Sequence, residues 1–300
     1  MNSNDVLVKA LALDDAVRVY VLKTTDLVNE AIRRCDTYPS ASDCLGKVLT
    51  VTCAMGSMLK GSEELTVKVN GNGPIGNIIC DGDATGAVRG YCDNPHVNFV
   101  NTSGGLNTLY TLGDDGLIEV IKDLKLKDFF TSSIPLQTGN LAYDFTYYFT
   151  VSEQTPSVVS LGSLFDVDNT AKIFGGIIIQ LLPNCPEEKI AYIESKLSLL
   201  NNLSQLLLDL DCSDILRMLF NDDFRILESM TPRFECKCSK EKFSASIATL
   251  GESEIQDMIE KDHGCECICH YCKEVYKFNE EELSDILDEV RRNGKIKCNA

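Results

Sequence analysis

Residues 265–272 read CECICHYC, so that half of this octet is cysteine. It holds two closely spaced patterns, a C-x-C formed by Cys265 and Cys267 and a C-x-x-C formed by Cys269 and Cys272. A C-x-x-C commonly places two thiolates on one metal ion from a tight turn. The octet therefore predicts half of a metal site, and the other half must come from elsewhere in the chain.

A second close pair, Cys236 and Cys238 in FECKCSK, precedes the octet. Zinc takes four soft ligands at tetrahedral corners, and a shell of four thiolates leaves no open position for catalysis. The combination of a C-x-C with a C-x-x-C across a helical spacer therefore predicts a structural zinc site. The alternative interpretation is a group of buried free thiols, although cysteine at this density would be a poor way to build a core.

The region that carries these cysteines, residues 232–300, is small for an independent domain. A unit of this size buries little apolar surface. Zinc binding can contribute on the order of 10–16 kcal/mol to the folding of such a unit, whereas the net stability of a whole domain is about 5–15 kcal/mol. We therefore expect the region to unfold when the metal is removed.

Oxidation is one way to remove the metal, because a disulfide consumes the thiolates that zinc requires. A purely structural zinc site and a redox-switch zinc site have the same ligands, so the spacing does not separate them. Of the fourteen cysteines, seven are scattered through residues 1–212. Those in apolar patterns, such as Cys53 and Cys80, are interpreted as small buried hydrophobic residues.

Charge and composition exclude several classes of partner. The chain has 300 residues and a net charge of −17, and acidic side chains outnumber basic ones in each of the stretches 1–183, 184–231 and 232–300. No basic face is expected to bind phosphates, so neither nucleic acid nor an anionic membrane is an expected partner. The first fifteen residues show no charged leader and no long apolar run, which predicts a cytoplasmic protein without a signal peptide.

The first 183 residues predict an α+β domain in which helices pack against a mainly antiparallel sheet. DVLVKALAL and AVRVYVLKT are typical of strands that pair in an opening hairpin. TDLVNEAIRRC is predicted to be helical, with Thr25 or Asp26 as its N-cap. The β-like runs ELTVKVNG, IGNIICDG and GAVRGYC follow, separated by turn residues.

Residues 184–231 are predicted to form a helical linker. Their apolar side chains recur at helical spacing, and such short helices must dock on another surface to be stable. The last section, 232–300, ends in FNEEELSDILDEVRRN, a predicted helix with Asn279 as its N-cap and Glu282 three residues later. The predicted domains are thus 1–183, 184–231 and 232–300.

An enzymatic function has little support in the sequence. Gly71, Gly73 and Gly76 form G-x-G-x-x-G, but Pro74 and a β-like run follow where a nucleotide site requires a helix, so a turn between strands is predicted. The chain has three histidines and no G-x-S-x-G elbow. His96 lies in a turn-like stretch, and His270 is interpreted as a spacer between two thiolates.

The sequence resembles a known family nearly from end to end. NGNGPIGNIICDGDATGAVRGYCDNP, GNLAYDFTYYFTVSEQTPS, GGIIIQLLP and FECKCSKEKF…CHYCKEVYKFNEEEL are similar, in this order, to the heat-shock protein 33 family of bacterial redox-regulated holdase chaperones. The resemblance implies an α+β domain, a helical linker lying on it and a small C-terminal zinc-binding switch.

The resemblance also implies the metal, the site residues and the function. It implies that Cys236, Cys238, Cys269 and Cys272 hold zinc, and that oxidation under unfolding conditions releases zinc and forms two disulfides between near neighbours. The switch and linker then unfold and expose a surface that holds unfolding client proteins without ATP. The reduced form is expected to be a monomer and the oxidised form a homodimer.

One departure from the family pattern is an extra C-x-C. Cys265 and Cys267 are therefore interpreted as auxiliary thiols that could exchange into the disulfides, and Cys298 near the C-terminus is a further candidate. The alternative to a redox-regulated holdase is a constitutive protein-binding module with a purely structural zinc. Such a module would keep its zinc under peroxide and bind its partner in either redox state.

Overall fold

A computed structural model of the chain describes residues 4–297, which form an antiparallel sheet, a mixed sheet, a small hairpin and the helices that pack on them. The strands are β1 Val6–Ala12, β2 Val17–Lys23, β3 Glu64–Asn70, β4 Ile78–Asp83, β5 Ala87–Cys92, β6 Leu117–Asp123, β7 Phe130–Pro135, β8 Ser157–Phe165, β9 Ala171–Leu181, β10 Phe224–Met230, β11 Arg233–Phe234, β12 Cys265–Ile268 and β13 Val275–Phe278. The helices are α1 Thr25–Cys35, α2 Pro39–Gly56, α3 Thr108–Leu112, α4 Leu141–Val151, α5 Glu187–Lys196, a 3₁₀ helix Leu197–Asn202, α6 Leu203–Asp209, α7 Cys212–Phe220, α8 Lys240–Ala248, α9 Glu252–Glu260 and α10 Glu280–Lys297. Among the described residues, no helix combines the length and the apolar composition that a membrane span requires.

The chain divides into two compact units, Met1–Glu235 and Cys236–Ala300. The α+β class is confirmed, although the first unit contains two sheets rather than one. The first sheet has the antiparallel order β10-β1-β2-β9-β8, and the second has the order β11-β5-β4-β3-β6-β7, in which β11 is parallel to β5. The further division of the first unit at residue 184 stays a prediction.

Helix α2 is buried on nearly every side, because it lies in the core between the two sheets. Leu45 and Leu49 belong to one apolar cluster with Leu7 and Tyr20 of the first sheet and Val67 of the second. Cys53 and Cys80 are fully buried in the same cluster, and burial raises the pKa of Cys53 to about 12. The interpretation of these two cysteines as buried hydrophobic residues is confirmed.

The N-terminus of α1 is capped from a distant residue. The predicted cap at Thr25 or Asp26 is wrong, since both residues belong to the helix and no side chain of the N-cap position bonds to it. Instead, the carboxylate of Asp5 accepts the backbone N–H groups of Asp26 at 3.0 Å and Leu27 at 2.7 Å. The cap therefore comes from the residue that precedes β1.

The linker helices pack on the outer face of the first sheet. Leu207 of α6 and Ile215 of α7 are fully buried in a cluster with Val19 of β2 and Ile177 of β9. A Cβ at Gly175 would lie 2.1 Å from the carbonyl oxygen of Leu22 and 2.9 Å from Leu207, so glycine is needed for this close approach. The apolar stripe of the predicted linker is thus covered by the sheet.

The last part of residues 184–231 is a strand. Phe224–Met230 forms β10, which pairs with β1 and forms the edge of the first sheet. Ile226 and Leu227 on this strand are exposed. The pairing joins residues more than 200 positions apart in the sequence. The spacing of apolar residues within the linker carries no information about such a distant partner. The remaining linker elements are helical.

Candidate metal centre

The second unit brings together the two cysteine pairs that the sequence separates. Cys236 and Cys238 lie in an irregular segment that leads into α8, while Cys269 and Cys272 lie in the turn between β12 and β13. The Sγ atoms of Cys236 and Cys269 are 3.7 Å apart, and those of Cys238 and Cys272 are 3.3 Å apart. All four Sγ atoms lie within 4.8 Å of one another.

This arrangement fits a tetrahedral thiolate site. With Zn–S bonds of about 2.3 Å, the edge of an ideal tetrahedron of sulfurs is about 3.8 Å, and the Cys236–Cys269 separation of 3.7 Å is close to it. The sulfurs are not at the bonded disulfide distance of about 2.05 Å. The residues present could therefore hold a zinc-sized ion with soft ligands.

The tight turn between β12 and β13 presents the second pair. The N–H of Cys269 donates to the carbonyl oxygen of Glu274 at 2.9 Å, and the N–H of Lys273 donates back to that of Cys269 at 2.9 Å. Lys273 has a φ of +60°, in the left-handed region that such a turn requires. Cys269 and Cys272 are consequently held in the buried interior of the unit.

Burial at the site disfavours the charged thiolate form of the cysteines. Burial raises the pKa of Cys238 and that of Cys272 above the ordinary value for a thiol. A bound cation would reverse this preference, because it stabilises the thiolates that burial destabilises. Metal binding at such a group is therefore coupled to the release of protons.

Tyr276 on β13 extends the site beyond the four cysteines. Its hydroxyl lies 3.2 Å from the Sγ of Cys238, and this hydrogen bond raises the pKa of the tyrosine. The Tyr276 ring packs against Phe243 of α8, with the ring centroids 5.0 Å apart. Sequence reasoning missed this contact, because its only sequence signal is an aromatic residue four positions after Cys272.

Cys265 and Cys267 lie outside the four-thiol group, on the strand that enters the turn. Both are half-buried against the apolar cluster of the second unit, and burial raises the pKa of Cys265 to about 11. His270 is exposed and is not part of the group. Cys298, the other candidate thiol, lies outside the described residues.

The helix that completes the unit begins as predicted. The N–H of Glu282 donates to the side chain of Asn279 at 2.9 Å, and the N–H of Asn279 donates back to Glu282 at 3.1 Å. This reciprocal capping box orients α10, whose Leu283 and Ile286 pack with Phe278 in the unit's apolar cluster. That cluster has only six buried members among the described residues.

The glycine motif and His96, to which the sequence assigns no catalytic role, lie in the first unit. Gly71, Gly73 and Gly76 form the turn between β3 and β4, as expected, where a Cβ on Gly73 would lie 2.3 Å from the backbone of Leu112. His96 is exposed and pairs with Asp36 at 2.8 Å.

Comparison with known proteins gives the same family along the chain. A family model described as "Hsp33 protein" matches residues 5–279. The 33 kDa chaperonins of Bacillus subtilis and Bacillus velezensis are each 47% identical over 290 residues, covering 96% of this chain and 100% of the relative.

A solved structure agrees with the sequence relatives. The crystal structure of the 33 kDa chaperonin (heat shock protein 33 homolog) from Thermotoga maritima has a TM-score of 0.88 and 31% identity, and the match covers 99% of this chain and 100% of that one. The identity, the fold and the nearly complete coverage lead to one conclusion. The chain belongs to the Hsp33 family.

Proposed function

We propose that this protein is a redox-regulated holdase chaperone that acts without ATP and without catalysis. The observation that carries the proposal is the four-thiol group, which ties the segment before α8 to the β12–β13 turn. Zinc held by Cys236, Cys238, Cys269 and Cys272 would cross-link the small second unit and neutralise its buried thiolates.

Oxidation is proposed to remove this cross-link. Each near-neighbour pair, Cys236 with Cys238 and Cys269 with Cys272, would give up two electrons to a peroxide and form a disulfide. Neither disulfide joins the two halves of the site, and neither leaves a thiolate to hold a metal. The second unit would then lose the interaction that compensates for its small apolar cluster.

Unfolding of the second unit is proposed to release the linker. The helices α6 and α7 bury Leu207 and Ile215 against the first sheet, so their release exposes apolar surface on both partners. Such surface is what an unfolding client protein can bind. We further propose that the protein is cytoplasmic, and that the reduced monomer dimerises when this surface is exposed.

The test is suppression of client aggregation by light scattering. Reduced, zinc-loaded protein and protein treated with peroxide under mild heat are each added to a chemically unfolded client that is then diluted into buffer. We expect suppression by the oxidised protein alone. Equal suppression by both forms, with zinc retained under peroxide, would instead support a constitutive binding module with a structural zinc.

A further inference from the structure

The auxiliary thiols lie side by side on the strand that enters the metal turn. Cys265 and Cys267 are two positions apart on β12, so their side chains point to the same face. Cys265 is opposite Phe278 and Cys267 is opposite Tyr276 in the pairing with β13. The two thiols interact with each other and pack against the apolar cluster of the second unit.

The folded hairpin keeps these thiols from joining. A strand rises about 3.4 Å per residue, so Cα atoms two positions apart are separated by about 6.8 Å, and parallel side chains keep their Cβ atoms nearly as far apart. A disulfide needs Cβ atoms about 3.5–4.5 Å apart. The backbone at Cys265–Cys267 must therefore leave its strand conformation before the bond can form.

We propose that Cys265 and Cys267 are a third redox pair, which forms a disulfide once the β12–β13 hairpin has opened and then prevents the hairpin from closing. The proposal rests on the function proposed above, since it requires that oxidation open the second unit. It adds a disulfide outside the metal ligands, at a C-x-C that the resemblance does not account for.

The chemistry is balanced with a hydroperoxide as the oxidant. The thiolate of one cysteine attacks an oxygen of hydrogen peroxide and the O–O bond breaks. Hydroxide is the leaving group, and the cysteine becomes a sulfenic acid. The thiolate of the other cysteine attacks that sulfur, the S–O bond breaks, and a second hydroxide leaves. Both hydroxides take up the thiol protons as water, so that two thiols lose two electrons and one peroxide is reduced.

The order of events follows from where the thiols lie. In the folded hairpin both thiols are half-buried, which limits the access of peroxide to them, and burial raises the pKa of Cys265 to about 11, so that little of the Cys265 thiolate is present at neutral pH. Opening the hairpin exposes both. Because Cys269 directly follows β12, a disulfide within that strand also disturbs the turn that presents Cys269 and Cys272.

The direct test is peptide mass mapping of the wild-type protein. Zinc-loaded protein is oxidised with hydrogen peroxide under mild heat until zinc release is complete, the remaining thiols are alkylated, and the peptide containing residues 265–272 is sequenced. We expect a Cys265–Cys267 disulfide that appears after zinc release begins. Alkylated Cys265 and Cys267 in fully oxidised protein, or a bond from either one to Cys269 or Cys272, would overturn the proposal.

Recovery gives a second readout. The variants Cys265→Ser, Cys267→Ser and the double variant are oxidised, treated with a limiting dithiol reductant and supplied with zinc, and Cys185→Ser in the first unit serves as the matched control. We expect all three to regain zinc several-fold faster than wild type and Cys185→Ser. Equal rates of zinc recovery in all proteins would count against the third pair.

Failure of the proposed function gives a different result from failure of the third pair, because wild type would then release zinc without suppressing aggregation.

Discussion

The hydroxyl of Tyr276 and the sulfur of Cys238 are 3.2 Å apart, which links β13 to the segment that supplies the first cysteine pair. When Cys238 is a thiolate, the tyrosine is the donor, and its hydrogen bond withdraws charge from the sulfur. Groups that bond to metal ligands in this way orient them and adjust their reactivity. Tyr276 is therefore placed to act, through Cys238, on a metal that the four cysteines would hold.

Tyr276→Phe removes the hydroxyl and keeps the ring that packs on Phe243. We expect zinc affinity to fall by about 10-fold, the lower end of the usual effect of losing such a partner. Zinc release by peroxide should also become faster, because the Cys238 thiolate loses its hydrogen bond. Competition with a chromophoric chelator measures both quantities.

Tyr143→Phe is the matched control for Tyr276→Phe, since Tyr143 is exposed on α4 in the first unit. It should leave the affinity and the release rate unchanged. An affinity of Tyr276→Phe equal to that of wild type would show that the contact does not support the metal site.

Substitutions at the cysteines separate ligands from auxiliary thiols. Cys238→Ser and Cys272→Ser should lower the zinc content of the reduced protein, because a serine hydroxyl is a poor replacement for a thiolate. Cys265→Ser and Cys267→Ser should keep about one zinc per chain. Metal analysis of the four purified variants decides the matter, and loss of zinc from the second pair of variants would reverse the assignment.

Loosening the linker should activate the protein without oxidation. Leu207 is fully buried on α6, and Leu207→Ala should lower the stability of its docking by about 2–5 kcal/mol. We expect the reduced, zinc-loaded variant to suppress client aggregation in part. Leu208→Ala, at an exposed neighbouring position, is the control. If Leu207→Ala lowers the melting temperature and still requires peroxide, the linker is not the client-binding element.

The buried cap of α1 predicts an unusual pH dependence. Burial raises the pKa of Asp5 from 3.8 to about 6. The folded protein therefore binds the Asp5 proton more tightly than the unfolded chain does. The stability that this proton contributes is lost as the pH rises through about 6. Between about pH 4 and pH 7, wild type should lose about 2 kcal/mol of unfolding free energy relative to Asp5→Asn. Urea titrations of both proteins test this, and parallel pH profiles would contradict it.

Local sequence patterns predicted the features that local interactions determine. The opening hairpin of β1 and β2, the turn at Gly71–Gly76 and the capping box at Asn279 are confirmed by the structure. In each, the deciding residues are close in sequence or repeat with the period of the element. The structure brings the two cysteine pairs together, with their four sulfurs within 4.8 Å of one another, and their binding of zinc stays a prediction.

Features that depend on distant residues were not predictable. The strand β10 forms because β1 offers an edge more than 200 residues away. Asp5 caps α1 across a gap of 21 residues, and Tyr276 reaches Cys238 across 38. No periodicity or local motif encodes such pairings, which follow from the order of strands in the sheets and from how the second unit folds.

In the proposed function, loss of zinc from the four-cysteine site and gain of client binding are one event. Zinc release, followed with a chromophoric chelator, and client aggregation, followed by light scattering, are measured together in one sample with and without peroxide. We expect peroxide with mild heat to release zinc and suppression of aggregation to rise in step with that release, while untreated protein keeps its zinc and does not suppress aggregation. Complete zinc release without suppression of aggregation would show that the two are separate events.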